Sequence, residues 1–410
     1  MRAVKKEQLE FMDWEFGAFF HFGIRTFYEG HKDWDMQEMS LDKFNPTSLD
    51  CRQWIRTVKQ AGARYAILVC KHHDGFANWP SKYTNYSVAG TPWKDGSGDV
   101  VKEFTDACRE YGMKIGLYYS PAQFGSDRMN GREYDDYFIN QLSELLTNYG
   151  KIDYLWFDGN GSEGHEYDTV RIIDEIRKLQ PYILIFNMWD PDTRWAGNES
   201  GMVSMPNHNI TNELDFSVST DELDTLKAER FLPAECDCRI RLENWFYSDN
   251  DLHTLKSVDE LLGLYMYSVG RGANLLLNIG PDRRGLLPDE DAARVVEFGK
   301  KIKEIFSGPI ADIKNAERNE NTYSVKLKEN TLVNYVVLEE DMSFGEHVEK
   351  FSICLYPFSY GKPIKVYESS TIGHKHICKI PTFRTERVDI VIEKEIGPHK
   401  IKNIELFYNA

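Results

Sequence analysis

Along the first three quarters of the chain, hydrophobic residues gather in short, nearly unbroken runs at 17–23, 65–70, 114–120, 153–158, 182–187, 231–236 and 274–280. A strand with one wet face alternates apolar and polar residues, so unbroken runs predict strands covered on both faces, as in a parallel sheet. Between the runs the spacing changes to three or four. Val101, Phe104, Cys108 and Tyr111 mark one helical stripe, and Val170, Ile173, Ile176 and Leu179 mark another. Gly62, Gly112 and Gly150 stand where such helices must end before the next strand. The repeating unit is βα.

Seven such strands predict an α/β architecture, either a (β/α)8 TIM barrel with one poorly marked strand or an open doubly wound sheet. Polar residues favour the barrel. His21, His72, His73, Tyr118, Tyr119, Asp158, Asn187, Glu235 and Asn278 all fall at carboxyl ends of expected strands. A closed barrel would bring them onto one face, whereas an open sheet would scatter them. No Gly-x-Gly-x-x-Gly opens a helix after the first strand, so a dinucleotide fold would lack its phosphate cradle. The last helical stripe (Ala292, Val295, Val296, Ile302, Ile305, Phe306) stops at Gly308-Pro309, and short alternating runs follow at 322–327, 332–338, 351–355, 363–368, 387–393 and 401–407. The expected organisation is a catalytic barrel over 1–308 and a small antiparallel β-sandwich over 309–410.

Composition narrows the partners. The 410-residue chain carries 49 basic and 65 acidic residues, a formal net charge of −16 that repels nucleic acid and anionic membrane surfaces alike. Seven cysteines make an odd set in a chain too large to need disulfide staples, and Cys236-x-Cys238 alone offers too few ligands for a structural zinc. The amino terminus has basic residues but no apolar stretch after them, and no run is long enough to span a bilayer. The expectation is a cytoplasmic protein, or a secreted or periplasmic one if a leader was removed. Oligomeric state is open.

The candidate chemistry sits in three places. Lys71-His72-His73-Asp74-Gly75-Phe76 puts two adjacent imidazoles where a buried strand emerges, and Gly75 permits the turn that would let both reach one site. A metal there would need a third ligand, which His21 could supply; neutral imidazoles serve equally well as hydrogen-bond partners for ligand hydroxyls. No metal or cofactor is expected. Asp153-Tyr154-Leu155-Trp156-Phe157-Asp158-Gly159 is an apolar strand ending in a carboxylate, which core packing would not place there. Asp158 is therefore a candidate nucleophile or base, with Trp156 on the same face. Cleaving a glycosidic bond needs a second carboxylate, and the candidates are Glu199, in the loop Gly197-Asn198-Glu199-Ser200-Gly201, and Glu235. A loop glutamate half-buried against Trp195 would have the raised pKa of a general acid.

Four motifs together resemble the α-L-fucosidases of glycoside hydrolase family 29: Gly17-Ala18-Phe19-Phe20-His21-Phe22-Gly23, Lys71-His72-His73-Asp74-Gly75-Phe76, Trp156-Phe157-Asp158-Gly159, and Gly272-Ala273-Asn274-Leu275-Leu276-Leu277-Asn278-Ile279-Gly280-Pro281. The resemblance runs in order from about residue 8 to residue 306. It implies a retaining, exo-acting hydrolase with Asp158 as nucleophile and Glu199 as acid/base, their carboxyls about 5 Å apart. It also implies that His21, His72, His73, Tyr118 (or Tyr119), Trp156 and Trp245 contact the fucose ring. The Asn198-Glu199 loop, 233–237 and Trp245-Phe246-Tyr247 resemble the branch acting on α-1,3/1,4-linked fucose. Arg25-Thr26-Phe27 and Asp33-Trp34 depart from that branch, which shows Asn-Thr-Phe and Glu-Trp there. The alternatives are a retaining glycosidase for another sugar such as α-galactose, or a protein that binds fucosylated glycans without cleaving them.

Overall fold

The computed structural model describes residues 4–30, 37–122, 129, 131–161, 164–215, 223–357 and 360–409. Eight strands form one parallel sheet: β1 (Phe16–Phe20), β2 (Tyr65–Lys71), β3 (Lys114–Tyr119), β4 (Tyr154–Phe157), β5 (Leu184–Phe186), β6 (Arg194–Trp195), β9 (Ala234–Arg239) and β10 (Asn274–Asn278). Between β6 and β9 lies an antiparallel hairpin, β7 (Ile210–Asp215) and β8 (Leu223–Phe231). The order β5-β4-β3-β2-β1-β10-β9-β6 leaves β5 and β6 at the two ends, and a parallel bridge from Phe186 to Thr193 joins them. The ring is therefore closed, and the open-sheet alternative falls.

Sequence order and helices follow the βα plan except on either side of β6, which follows β5 with no helix between them. Helix α1 (Lys6–Trp14) precedes β1; α2 (Cys51–Gln60), α3 (Val100–Glu110), α4 (Arg132–Asn148) and α5 (Thr169–Leu179) follow β1 to β4 in turn, and α6 (Val258–Tyr267) and α7 (Asp289–Phe306) follow β9 and β10. The hairpin takes the place of a helix after β6. β1 to β5 and β10 are buried on both faces because two separate apolar cores flank them. Outside, the helix stripes pack on residues such as Ala18, Phe20, Leu68, Leu117 and Leu155. Inside, Phe19, Tyr65, Ile67, Tyr118, Tyr154, Trp156, Phe186, Trp195 and Leu276 fill the lumen, and Phe11 and Trp14 of α1 join them. Phe11 lies 5.3 Å from the Tyr154 ring and Trp14 5.4 Å from the Tyr65 ring. The lumen is a packed aromatic stack and not a pore.

Two expectations shift by a few residues. The eighth strand is β6, two residues long and too short to leave any periodicity. The expected strand at 231–236 is β9, Ala234–Arg239; the apolar residues Phe231 and Leu232 belong to the end of the hairpin and the turn after it. Glu235 thus stands at the amino end of its strand, paired with Asn274 at the start of β10, and not at the barrel mouth.

After α7 the chain builds seven antiparallel strands, β11 (Ala311–Asp312), β12 (Ala316–Asn319), β13 (Thr322–Glu340), β14 (Val348–Pro357), β15 (Ile364–Ser369), β16 (His376–Glu395) and β17 (Ile401–Phe407). The runs expected at 322–327 and 332–338 are two halves of β13, and β16 starts eleven residues before the run that marked it, 376 against 387. Both long strands change register midway, β13 pairing first with β12 and later with β17, so that they pass between the two layers of a sandwich closed around Val325, Val336, Phe351, Ile353, Val388 and Leu406. The sandwich docks on the barrel: Ile377 donates its N–H to the Gly270 carbonyl at 3.0 Å, Lys375 pairs with Glu15, and Tyr335, Val337, Ile377 and Phe407 join the barrel's outer core. Among the described residues no helix is long and apolar enough to cross a membrane.

Candidate active site

Barrel closure carries the carboxyl ends of β1 to β4, β9 and β10 to one mouth, where His21, His72, His73, Tyr118, Asp158 and Asn278 meet, while Glu235 and Tyr119 do not. Asp158, one residue past β4, keeps 27% of its side chain exposed. Its Oδ2 accepts the Tyr118 hydroxyl at 2.9 Å and lies 3.5 Å from His73 Nε2; its Oδ1 accepts the Asn160 N–H at 2.9 Å. Burial pushes this carboxyl's pKa up, but the adjacent His73 and the hydrogen bonds from His73, Asn160 and Tyr118 outweigh it, leaving the group below the ordinary aspartate value. Asp158 is held as an anion.

Burial holds His21 and His72 in the neutral form, and contacts with neighbouring groups orient all three imidazoles. His21, just past β1, has its pKa pulled down to about 3 by burial. The Asn278 amide donates to the Trp245 carbonyl at 2.7 Å, so its oxygen faces His21 Nδ1, 2.7 Å away, and that nitrogen carries the proton. His21 Nε2 is then an acceptor. Burial likewise holds His72 well below its usual value. Its ring stacks on Tyr118 at 5.5 Å and 9°, and its buried Nδ1 has no partner among the described residues. His73 Nδ1 meets the Ser120 hydroxyl at 2.6 Å, which turns Nε2 toward Asp158. His72, His73 and Asp158 form the trio whose donor atoms lie within 4.8 Å of one another; the third ligand expected for a metal, His21, is not part of it. Within the trio, His73 Nε2 is aimed at the Asp158 carboxylate, 3.5 Å away.

The Tyr118–Tyr119 ambiguity resolves by strand alternation. Tyr118 faces the lumen and Asp158, whereas Tyr119 faces α4, donating to Gln141 Oε1 at 2.6 Å under the Lys71 ammonium, 4.5 Å from its ring. Lys71 also alternates outward from His72, and burial lowers its pKa to about 7.

The two candidate glutamates have different surroundings. Glu235 is fully buried in the lumen, accepting Tyr65 O–H at 2.6 Å, Trp156 Nε1–H at 2.8 Å and Tyr154 O–H at 3.3 Å. Burial raises its pKa to about 7 despite those bonds. Its neighbours seal it beneath the site. Trp156, only 6% exposed, lies between this glutamate and the mouth, stacked on Tyr118 at 5.4 Å and on Phe186 at 4.1 Å. Glu199 keeps 32% of its side chain exposed in the loop after β6, with Arg239 Nη2 3.7 Å from its Oε2. Burial raises its pKa; the Arg239 charge opposes this, the Asp158 charge adds to it, and a hydrogen bond with Trp245 lowers it. Arg239 ends β9, so Glu199 beside it stands at the same carboxyl-end mouth as Asp158. Trp245, 8% exposed, completes the wall, 4.9 Å from His21 and 5.2 Å from the Arg239 guanidinium.

Two arginines were missed by sequence reasoning. Arg239 ends β9 with its charge toward the lumen side, because Glu235, Asp237 and Arg239 alternate inward while Cys236 and Cys238 alternate outward. The expected strand stops at 236, because Asp237 and Arg239 are charged and nothing in the local composition signals a strand whose charged face is the interior. Arg25 lies in a short 3-10 turn, Ile24–Phe27, and its Nε pairs with Asp74 Oδ2 at 3.2 Å with both side chains buried. The departure at Arg25-Thr26-Phe27 thus has a structural role under the His72-His73 turn, while Asp33-Trp34 lies outside the described residues.

A family model described as α-L-fucosidase matches residues 2–304. The chain belongs to the α-L-fucosidase family. It is a glycoside hydrolase built as a barrel with an appended β-sandwich, and family and sequence motifs cover the same stretch. Alpha-L-fucosidase 1 of Arabidopsis thaliana is 31% identical over 93% of this chain and 83% of its own length. The alpha-L-fucosidase of Dictyostelium discoideum is 22% identical over 70% of this chain and 68% of its own. A solved glycoside hydrolase 29 family member from an unknown rumen bacterium superposes with a TM-score of 0.90 at 34% identity, covering 99% of this chain and 77% of that one.

Proposed function

We propose that this family member is a retaining exo-α-L-fucosidase in which Asp158 attacks the anomeric carbon and Glu199 first protonates the departing oxygen and then activates water. The observation that carries the reading is the opposite displacement of two carboxyls sharing one mouth: Asp158 below its ordinary pKa and Glu199 above it. An anionic nucleophile and a protonated acid at the same pH require that split. His21 Nε2 supplies a hydrogen-bonding position for sugar hydroxyls with the His72 ring beside it, and Trp245 supplies an apolar wall for the methyl group at C5. Trp156 takes part through its exposed edge, its indole N–H being committed to Glu235. Terminal α-1,3/1,4-linked fucose on branched glycans is the proposed substrate, on the resemblance of the Asn198-Glu199 loop and the Trp245-Phe246-Tyr247 segment to that branch.

The test is hydrolysis of an aryl α-L-fucoside beside a branched Lewis-type oligosaccharide, with kcat/KM followed against pH. Fucose should be released with retention of configuration, faster per encounter from the oligosaccharide. The acidic limb should lie below the ordinary aspartate value of about 3.9, because Asp158 must stay ionised. The basic limb should lie above the ordinary glutamate value of about 4.3, because Glu199 must stay protonated. An inverted product would sink the double displacement, and preference for the aryl substrate would sink the linkage assignment.

Tyr118→Phe and Tyr119→Phe should separate cleanly. Loss of the Tyr118 bond to a charged carboxylate, worth about 1.5–3 kcal/mol, should lower kcat/KM roughly tenfold or more. Loss of the Tyr119–Gln141 bond, worth about 1 kcal/mol, should appear in the urea midpoint and leave kcat/KM near wild type.

A further inference from the structure

Glu199 sits on a loop with no regular secondary structure, yet a general acid must be held to within a fraction of an ångström to protonate one oxygen. Both ends of the loop are tied to the same strand: Ala196 N–H donates to the Glu235 carbonyl at 2.9 Å and Gly201 N–H to the Asp237 carbonyl at 3.0 Å. Those carbonyls are two residues apart, about 7 Å along a strand, whereas five residue steps could reach about 17 Å. The loop must therefore arch. Gly197 and Gly201 make the arch possible, at φ of +82° and +71°. A Cβ on the first would stand 2.3 Å from Asp215 Oδ2, and on the second 2.7 Å from Cys238 Sγ, so hairpin and strand close the loop from both sides.

An arch leaves inward carbonyls and N–H groups unpaired unless something fills it. Asn198 does so. Its Nδ2 donates to the Ala196 carbonyl at 3.2 Å and the Met202 carbonyl at 3.1 Å, and its Oδ1 accepts the Ser200 N–H at 3.0 Å. The amide orientation is chemically forced, since carbonyls only accept and an N–H only donates. Three bonds thus cross the loop from the residue next to Glu199, two spanning to the residues that flank the arch.

We propose that Asn198 is the positioning residue of the acid/base, holding the arch in the one shape that keeps the Glu199 carboxyl between Arg239 and Trp245. This rests on the acid/base assignment of Glu199 above. The residue touches no substrate; it acts through the backbone on either side of Glu199. Its contribution is confined to the proton transfers that Glu199 makes, because Asp158 and the imidazoles stand on other strands.

Acid assistance matters only when the leaving group needs a proton, and that separates positioning from general structural damage. kcat/KM would be measured for 2,4-dinitrophenyl α-L-fucoside and for an α-linked fucosyl disaccharide, with wild type, Asn198→Ala, Asn198→Asp and Glu199→Ala. Asn198→Ala should lose about tenfold or more on the disaccharide and less than about threefold on the aryl fucoside, with the basic limb of the pH profile displaced. Asn198→Asp keeps the bond from Ser200 but turns both donations into repulsions, and should fall at least as far on the disaccharide. Equal losses on both substrates, or none, would overturn the proposal. Glu199→Ala is the control: it should show the same split more strongly, and if it falls equally on both substrates the acid/base reading of Glu199 fails, and the role of Asn198 with it.

Discussion

Asp158→Ala is expected to reduce kcat on an aryl α-L-fucoside by about 10⁴-fold or more, the scale seen when a covalent nucleophile is removed. The fold should survive, since the side chain ends a strand at the mouth and lies partly in solvent. What remains after the substitution is a site with its imidazoles, Glu199 and Arg239 in place but no group to attack the anomeric carbon. A small anion can enter the vacated space. Added azide should therefore restore turnover of an activated fucoside, attacking from the side Asp158 occupied, so that the product is a fucosyl azide of inverted configuration. Its stereochemistry, read by NMR, distinguishes the nucleophile from a carboxylate that merely stabilises charge. Turnover within about tenfold of wild type, or an azide product of retained configuration, would move the nucleophile elsewhere.

Removal of Arg25 should produce the largest loss of stability. Arg25 and Asp74 are 1% and 2% exposed, and the Asp74 carboxylate also accepts the Phe76 N–H at 2.9 Å while Arg25 Nη2 reaches the Gln37 carbonyl at 2.9 Å. Arg25→Ala strands a carboxylate in the interior, which costs about 3–5 kcal/mol when one partner of a buried pair is lost. A lowered urea midpoint measures it. Arg25→Ala combined with Asp74→Asn should regain part of that loss, because the stranded charge is gone; simple addition of the two single effects would show that the pair does not interact. Activity should fall together with stability, since Asp74 closes the turn that presents His72 and His73. An unchanged midpoint would mean that the pair contributes no net stability.

Why most of the barrel was legible, β6 was not, and β9 was expected three residues early follows from what each strand faces. β1, β2, β3 and β10 lie between an aromatic lumen and a helix layer, so both faces are apolar and the run is continuous in sequence. β9 has a lumen face of Glu235, Asp237 and Arg239 and an outer face of Cys236 and Cys238, so the expected strand ends at 236 until the lumen is known to supply the partners of the charges beyond it. Tyr65, Tyr154 and Trp156 satisfy Glu235, and Trp195 donates to Asp237 at 2.7 Å. None of these donors is near in sequence. In the sandwich, β13 and β16 bend through register shifts, and a bend interrupts the alternation that marks a strand.

The βα order, the change to an antiparallel module after α7 and an Asp at the end of an apolar strand are written in local spacing and in the cost of burying a charge without purpose. Which of Tyr118 and Tyr119 meets Asp158, which of Glu199 and Glu235 reaches solvent, and which carboxyl is held ionised depend on contacts that form when the ring closes. Adjacent residues on a strand face opposite sides, so the lumen side is defined only by closure of the ring. A carboxyl's proton affinity is set by groups within a few ångströms, and here those groups, His73 and Tyr118 for one and Arg239 and Trp245 for the other, come from strands and loops far apart along the chain.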